Sequence, residues 1–257
     1  MPRPNRLLLV SISGVFAVAA AAVLAYVLFL RGDNVAPLAL SSPSPSSSAS
    51  TAPDATDTSG AGPGQSGGPG SAIAALADLA GDWTAGSGSI VGYRVREKLA
   101  DLPAESDAVG RTEIVSGSVT VTVGGDAVSA SAGSFEADLT TLTSDNGRRD
   151  NRIRSSGLES NSFPTATFVL AEPAAITGDI LAGAVLDATL VGDLTLHGET
   201  RRVSIPAQAR LVGSSIEVVG ALTFPFADFG MTPPNVAGFV SVDDNATLEF
   251  SLLLTRT

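Results

Sequence analysis

The chain has 257 residues, no cysteine, a single histidine, and 26 acidic against 15 basic side chains, for a formal net charge of −11. Without cysteine there is no disulfide, no thiolate chemistry and no lipoprotein anchor, and one histidine cannot assemble the usual zinc sites. A field this negative repels nucleic acid and anionic lipid surfaces, which excludes general electrostatic attachment to either.

Residues 1–6 carry Arg3 and Arg6 and no acid, and the 24 residues that follow, 7–30, carry no charge. A helix of that length covers about 36 Å, enough to cross a hydrocarbon core of about 30 Å with some tilt. The pattern predicts a cytoplasmic tail over 1–6, a transmembrane helix over 7–30 and, by the positive-inside rule, everything after Arg31 outside the cytoplasm. The localisation expected is therefore a single-pass protein of the cell membrane. A cleaved secretory signal is the alternative, since the Ala19 to Ala22 run can imitate a cleavage site, although the apolar stretch continues to Leu30. Residues 31–71 are mostly Ser, Pro, Gly, Ala and Thr, a composition that predicts a disordered linker with an average reach of about 35 Å. Gly62 to Gly67 matches a dinucleotide-binding glycine pattern, but neither a strand nor a helix flanks it.

Residues 72–257 are expected to form one domain, with 12 basic and 23 acidic side chains. Period-two alternation dominates it. Leu186, Ala188, Leu190, Leu194 and Leu196 share one face of residues 185–196, and similar patterns predict strands over 203–211, 216–224 and 246–255. Earlier candidates are 89–98, 118–123, 128–139 and 165–170, with turns at Gly124-Gly125, Gly178-Asp179 and Gly213-Ser214. No long segment has a helical period, although residues 78–83 and 149–159 have room for short turns. One-sided strands without covering helices must stack as two sheets or close on themselves, and closure removes exposed edges. The fold class predicted is all-β, an antiparallel lipocalin-like barrel of about eight strands, preceded by the transmembrane helix and the linker.

Few residues suggest chemistry. His197 ends a strand before Gly198-Glu199-Thr200 and reads as a structural, hydrogen-bonded side chain. No G-x-S-x-G elbow exists, and the carboxylates are too dispersed to name a catalytic pair. Arg148, Arg149, Arg152 and Arg154 reverse the local field within seven positions. They suit a phosphate-like head group, or else form a loop clamp neutralised by Asp145, Asp150 and Glu159.

Three ordered motifs carry a resemblance: Leu139 to Ser155 with its Asn-Gly-Arg-Arg-Asp-Asn-Arg core, Asn161-Ser-Phe-Pro-Thr-Ala-Thr-Phe168, and Gly192-Asp-Leu-Thr-Leu-His-Gly-Glu-Thr-Arg-Arg-Val203. Together with Phe226 to Met231 and Val240 to Phe250 they resemble the YceI-like family over about residues 81–257. The resemblance implies a lipocalin-like barrel outside the cytoplasm whose interior holds a polyisoprenoid or similar amphiphilic long-chain lipid. The chain departs from the family pattern in its first strand, Gly92 to Lys98, which lacks a histidine, in an insertion-like segment over 99–110, and in Gly157 to Ser162, where a Phe-Phe pair is expected.

The function expected is a membrane-tethered binding protein without catalysis and without a cofactor, with a long-chain lipid and the membrane as partners. Candidate lumen residues are Val91, Tyr93, Val95, Phe135, Leu139, Phe168, Leu190, Leu194, Ile216, Phe224 and Phe250, with the four arginines as head-group candidates. A packed structural or partner-binding barrel is the alternative, and an enzyme acting on lipid or glycan is a third reading that lacks a recognisable constellation.

Overall fold

Glycine, proline and short polar clusters cut the domain into strands, and the computed structural model shows how they close. It describes residues 35–42, 76–99, 105–125, 127–236 and 240–257. The strands are β1 (Gly81–Ala85), β2 (Ile90–Leu99), β3 (Glu105–Thr112), β4 (Val115–Gly124), β5 (Ala127–Asp138), β6 (Thr165–Leu170) and β7 (Ala174–Ile176), then β8 (Leu186–Leu196), β9 (Glu199–Val212), β10 (Ser215–Pro225), β11 (Asn235–Val236) and β12 (Val240–Arg256). Neighbours pair in the order β1, β4, β5, β6, β8, β9, β10, β12, and β12 pairs with β1 again, so eight antiparallel strands close a ring. The expected barrel is present. Residues 7–30, the tail before them and most of the linker lie outside the described residues, among which no helix is long and apolar enough to cross a membrane.

Several staves of the barrel are broken strands. β1 and β2 lie end to end along β12, with Ala85 opposite Leu254 and Ile90 opposite Ser251. The break between them would orphan ladder groups, but Gly86 N–H donates to Leu253 O at 2.8 Å and the buried Ser89 hydroxyl accepts from Leu253 N at 3.1 Å. That is why a serine is tolerated at 1% exposure. β3 and β4 continue each other in the same way, with the Thr112 hydroxyl accepting from Ile114 N at 3.0 Å. β4 leans onto β5 while β3 stays with β2.

The wall parts there, and the chain covers the gap with a single 3-10 turn (Leu139–Thr141) and one helix, α1 (Gly147–Ser155). Asp138 caps the turn by accepting from Thr140 N at 2.8 Å, and Arg111 and Thr143 exchange backbone hydrogen bonds at 2.9 and 3.0 Å. α1 starts where Asn146 accepts from Arg148 N and Arg149 N at 3.0 and 3.3 Å, an N-cap of the expected chemistry. The buried Asp150 carboxylate anchors it by accepting from Ser144 N at 3.0 Å and Ser144 Oγ at 2.6 Å.

Segment 99–110 is corrected. Its second half is β3, a wall strand in register with β2 from Lys98 opposite Glu105 to Val91 opposite Thr112. Residues 81–85 form β1, overlapping residues 78–83 where a short turn is expected, and residues 149–159 include most of α1.

Side chains fill the barrel unevenly. Trp83 closes the end opposite α1, at 3% exposure, with its indole N–H donating to Leu79 O at 2.9 Å, and Ile180, Leu186, Ile205 and Ile216 pack in the same cluster. A second cluster near α1 holds Leu139, Leu194, Leu196, Phe226 and Phe229. On the outside, residues 35–42, which composition places in the linker, are hydrogen-bonded to the wall through Arg94 and Arg111 at one end and Arg210 and Glu217 at the other.

Candidate ligand-binding cavity

Because β-strand side chains alternate, every second residue of each stave points inward, and whether the barrel is hollow depends on what those residues leave unfilled. Among the described residues they leave at least two cavities. The larger, of about 380 Å³, lies under α1; the smaller, of about 100 Å³, lies deeper, and Val91, Ala166 and Leu248 belong to the walls of both. The larger volume falls in the range of small-ligand pockets.

The room depends on pairing aromatic rings with glycines. Tyr93 stands directly opposite Gly110, Phe135 opposite Gly117 and Phe250 opposite Gly220, while Phe168 lies diagonally across from Gly192. An ideal Cβ at Gly110 would sit 2.3 Å from the Tyr93 ring, at Gly192 2.3 Å from Phe168, and at Gly220 2.5 Å from Phe250. Each ring thus occupies the inward space of the neighbouring strand's glycine and lies along the wall, leaving the axis clear.

Ten of the eleven candidate lumen residues line a cavity. Tyr93, Val95, Leu139 and Phe224 line the larger, Phe135, Phe168, Leu190, Leu194 and Phe250 the smaller, and Val91 both. Ile216 lines neither. It sits near the start of β10 opposite Leu254, below both cavities, where it packs into the lower core.

Polar groups gather at the α1 end. Glu97 points inward from β2 and pairs with Arg149 of α1: Arg149 Nη2 lies 3.1 Å and Nε 3.4 Å from the two carboxylate oxygens, with both side chains 11% exposed. Asp145 also accepts from Arg149. Burial raises the Glu97 carboxyl above the usual carboxylate range, and the adjacent guanidinium offsets this only in part. For Arg149, burial works against the charge, but Glu97 outweighs it and keeps the guanidinium protonated. Burial likewise pushes the Tyr93 phenol well above its usual value, so it keeps its proton; its hydroxyl is buried in the larger cavity's wall and has no hydrogen-bond partner among the described residues. This end of the cavity therefore offers a neutral phenol donor and an ion pair whose charges offset, beside Arg148 and Arg152.

The arginine cluster divides. Arg148, Arg149 and Arg152 line the larger cavity, with Arg148 and Arg152 exposed. Arg154 does not line it, and donates to Leu142 O at 3.4 Å and Asn151 Oδ1 at 3.1 Å. Arg149 is a clamp between α1 and β2. The neutralising carboxylate that matters most is Glu97, on a strand 52 residues away, rather than Asp150 or Glu159. Sequence reading missed Glu97 because one acid in an apolar phase looks like solvated surface. It also missed Leu142, Ile153, Leu158 and Met231, which face the cavity from the covering segment and a loop where no strand period marks an inward side.

His197 is hydrogen-bonded where β8 turns into β9. Its Nδ1 is 3.1 Å from Phe229 O, its ring lies 4.3 Å from that of Phe163, and its backbone takes φ 52° to turn into Gly198. Among the described residues no cluster of His, Asp and Glu could hold a metal ion.

No curated protein matches the chain. Solved structures do. One is described as a polyisoprenoid binding domain from Saccharophagus degradans implicated in plant cell wall breakdown, at 16% identity and TM-score 0.49, covering 69% of this chain and 99% of that one. Another is BcnA of Burkholderia cenocepacia, at 19% identity and TM-score 0.46, covering 64% and 95%. A third is the YceI protein of Campylobacter jejuni, at 13% identity and TM-score 0.40, covering 52% and 78%. A profile of the YceI-like domain matches residues 87–254, from the loop before β2 almost to the end of β12, and the chain belongs to that family.

Proposed function

We propose that the protein binds a polyisoprenoid or similar long-chain amphiphile in its barrel, outside the cytoplasm, and does no chemistry on it. The observation that carries this reading is the larger cavity, apolar through most of its wall and polar only under α1, the arrangement an amphiphile requires. Family membership supports the ligand class. Burying a hydrocarbon chain there gains about 25 cal/mol per Å² of apolar surface before the costs of ordering. The tail enters toward Phe135, Phe168, Leu190 and Phe250, and the head group stays beside Tyr93, Arg148 and Arg152.

An organic extract of the purified protein, examined by mass spectrometry, is expected to contain a stoichiometric isoprenoid-type lipid. An empty extract, together with no uptake of a fluorescent isoprenoid probe, rejects the reading. The alternative of a solidly packed barrel receives no support from a wall that leaves this much space.

Residues 7–30 act in this proposal as an uncleaved anchor, with the barrel on the outer side. Protease added to intact cells should leave an N-terminal piece in the membrane and release the barrel. A native soluble product beginning after about residue 20 would identify the segment as a cleaved signal instead.

A further inference from the structure

Residues 35–42, Val-Ala-Pro-Leu-Ala-Leu-Ser-Ser, hold no charge and, beyond the fixed φ of Pro37, no local constraint on conformation, yet both ends are bound to the barrel's outer wall. Arg94 Nη2 donates to Val35 O at 2.9 Å and Arg111 Nη2 to Ala36 O at 2.6 Å. Five residues on, the Ser41 hydroxyl donates to Glu217 Oε1 at 2.6 Å, Ser41 N–H donates to Glu217 Oε2 at 3.3 Å, and Arg210 Nη2 donates to Ser41 Oγ at 2.9 Å. Arg111 stands on β3, Arg94 on β2, Glu217 on β10 and Arg210 on β9, so the segment crosses the strands rather than adding to them. Three strand spacings are about 14 Å and five extended residues about 17 Å, which fits a nearly extended crossing from β3 to β10.

The wall beneath is built for a cover. Glu249 points outward yet is 3% exposed, held by Arg111 at 2.8 Å and Arg94 at 3.5 Å, the same two guanidiniums that cap the segment's carbonyls. Arg210, also outward, is 8% exposed. The outward valines Val109 and Val219, one beside Arg94 and Arg111, the other beside Glu217, are buried, and Leu38 and Leu40 of the segment are half-buried. Burial raises the Glu217 carboxyl, but hydrogen bonds from Ser41 and Arg210 outweigh it and hold it below its usual range.

We propose that residues 35–42 are an intramolecular strap that holds the barrel against the membrane surface. The membrane half of this inference rests on the anchor reading for residues 7–30. The distance from Leu30 to the wall is set by five residues, about 17 Å at full extension, in place of the roughly 35 to 40 Å average reach of the whole linker. A linker of this length presents the strap at about millimolar effective concentration, so contacts that are individually weak keep it docked. The strap's first residues leave the wall at Arg94 and Arg111, and Arg111 is bridged to Thr143 of the segment that covers the cavity. The side of the barrel that opens onto the cavity is therefore the side held nearest the bilayer, the placement needed for a lipid to pass between membrane and lumen.

The test uses the full-length chain in nanodiscs. Since there is no native cysteine, Ser155→Cys on α1 takes a single donor dye, and lipids carry the acceptor. Energy transfer should be strong in the otherwise native chain. It should fall at least twofold in Leu38→Asp with Leu40→Asp, which alters only the strap, and in Arg210→Ala with Glu217→Ala, which removes the wall anchors as a pair. In parallel, a chymotrypsin-type protease should cut after Leu38 or Leu40 at least tenfold faster in the Arg210→Ala, Glu217→Ala variant, which keeps both leucines. Equal cutting in the native chain and that variant overturns the strap whatever the membrane result. Slow native cutting in a chain that does not enter nanodiscs keeps the docked segment but overturns the clamp along with the anchor reading. Slow cutting with transfer unchanged in the variants shows that the strap docks without setting the distance, and overturns the proposal. A dimer whose straps exchange, seen by light scattering, overturns the intramolecular form.

Discussion

Gly110→Ala is expected to cut the lipid recovered with the purified protein about tenfold or more, although it adds one methyl group. At Gly110 the new Cβ would lie 2.3 Å from Tyr93 Cε1 and 2.7 Å from Cζ, and the atoms it meets closest are all in the Tyr93 side chain. The wall can stay in place and the ring must swing off it, into the larger cavity. A displacement of that kind costs about 1–3 kcal/mol in overpacking and fills space the ligand would use. A loss of about 1.4 kcal/mol in binding is already tenfold. The companion change Tyr93→Leu, made in the same chain, should restore binding by removing the displaced ring. Gly192→Ala offers a contrast, since its Cβ would also meet Val169 O at 2.5 Å, so backbone must move and stability should fall together with binding. If Gly110→Ala retains full lipid content, ring placement does not control the lumen. If Tyr93→Leu fails to rescue a folded Gly110→Ala chain, the loss has another origin.

Arg149→Met should destabilise the barrel by about 3 kcal/mol near neutral pH, because breaking a buried pair leaves a charge without compensation in an apolar wall. Glu97 is the residue left behind, and its carboxyl already titrates above the usual range through burial. A carboxyl raised in the folded state keeps a proton that the unfolded chain has released. Stability is therefore greatest below the ordinary carboxylate range and falls as pH rises toward the raised value. Without Arg149 the raised value moves higher still and the decline extends to higher pH. Urea unfolding across the acidic to neutral range should show the variant close to native stability in acid and diverging as pH rises. Adding Glu97→Gln should recover most of the loss and flatten the profile. A loss independent of pH would mean that Arg149 acts through packing on α1 and not through Glu97.

The barrel was legible because a wall with one wet and one dry side writes period two into the sequence. β8, β9, β10 and β12 show it plainly, since leucine, isoleucine and phenylalanine alternate there with polar residues. β3 does not: its inward positions are Ala108, Gly110 and Thr112, small because Val95, Tyr93 and Val91 stand opposite and take the room. A strand whose partner supplies the bulk has no apolar signal of its own. β1 is only five residues long, too short for a period. The cavity walls followed from strand phase, which is why ten lumen candidates face a cavity and Ile216, correct in phase, differs only in depth. The arginines could be seen as a cluster, but their separate roles could not. Glu97 decides those roles, and no local spacing connects it to Arg149. The strap was illegible for a related reason: its partners lie between 59 and 176 residues away, and Val-Ala-Pro-Leu-Ala-Leu differs from linker only in what it touches.

The ring is closed by β12, which comes after all its partners in the chain. This 17-residue strand pairs with β10 along one edge and with β1 and β2 along the other, while Thr257 N–H donates to Asp82 O at 3.2 Å. A chain emerging from the ribosome can make hairpins from β2 onward, but it cannot join first strand to last until β12 has been made. Pairings separated by more than 150 residues also form slowly. The growing polypeptide thus cannot close its ring until β12 has left the ribosome. Its slowest folding step is expected to be the β1–β12 closure. A circular permutant that joins residue 257 to residue 76 and opens the chain at the Gly213-Ser214 turn would make that pairing local, and should fold faster without a change in the final barrel.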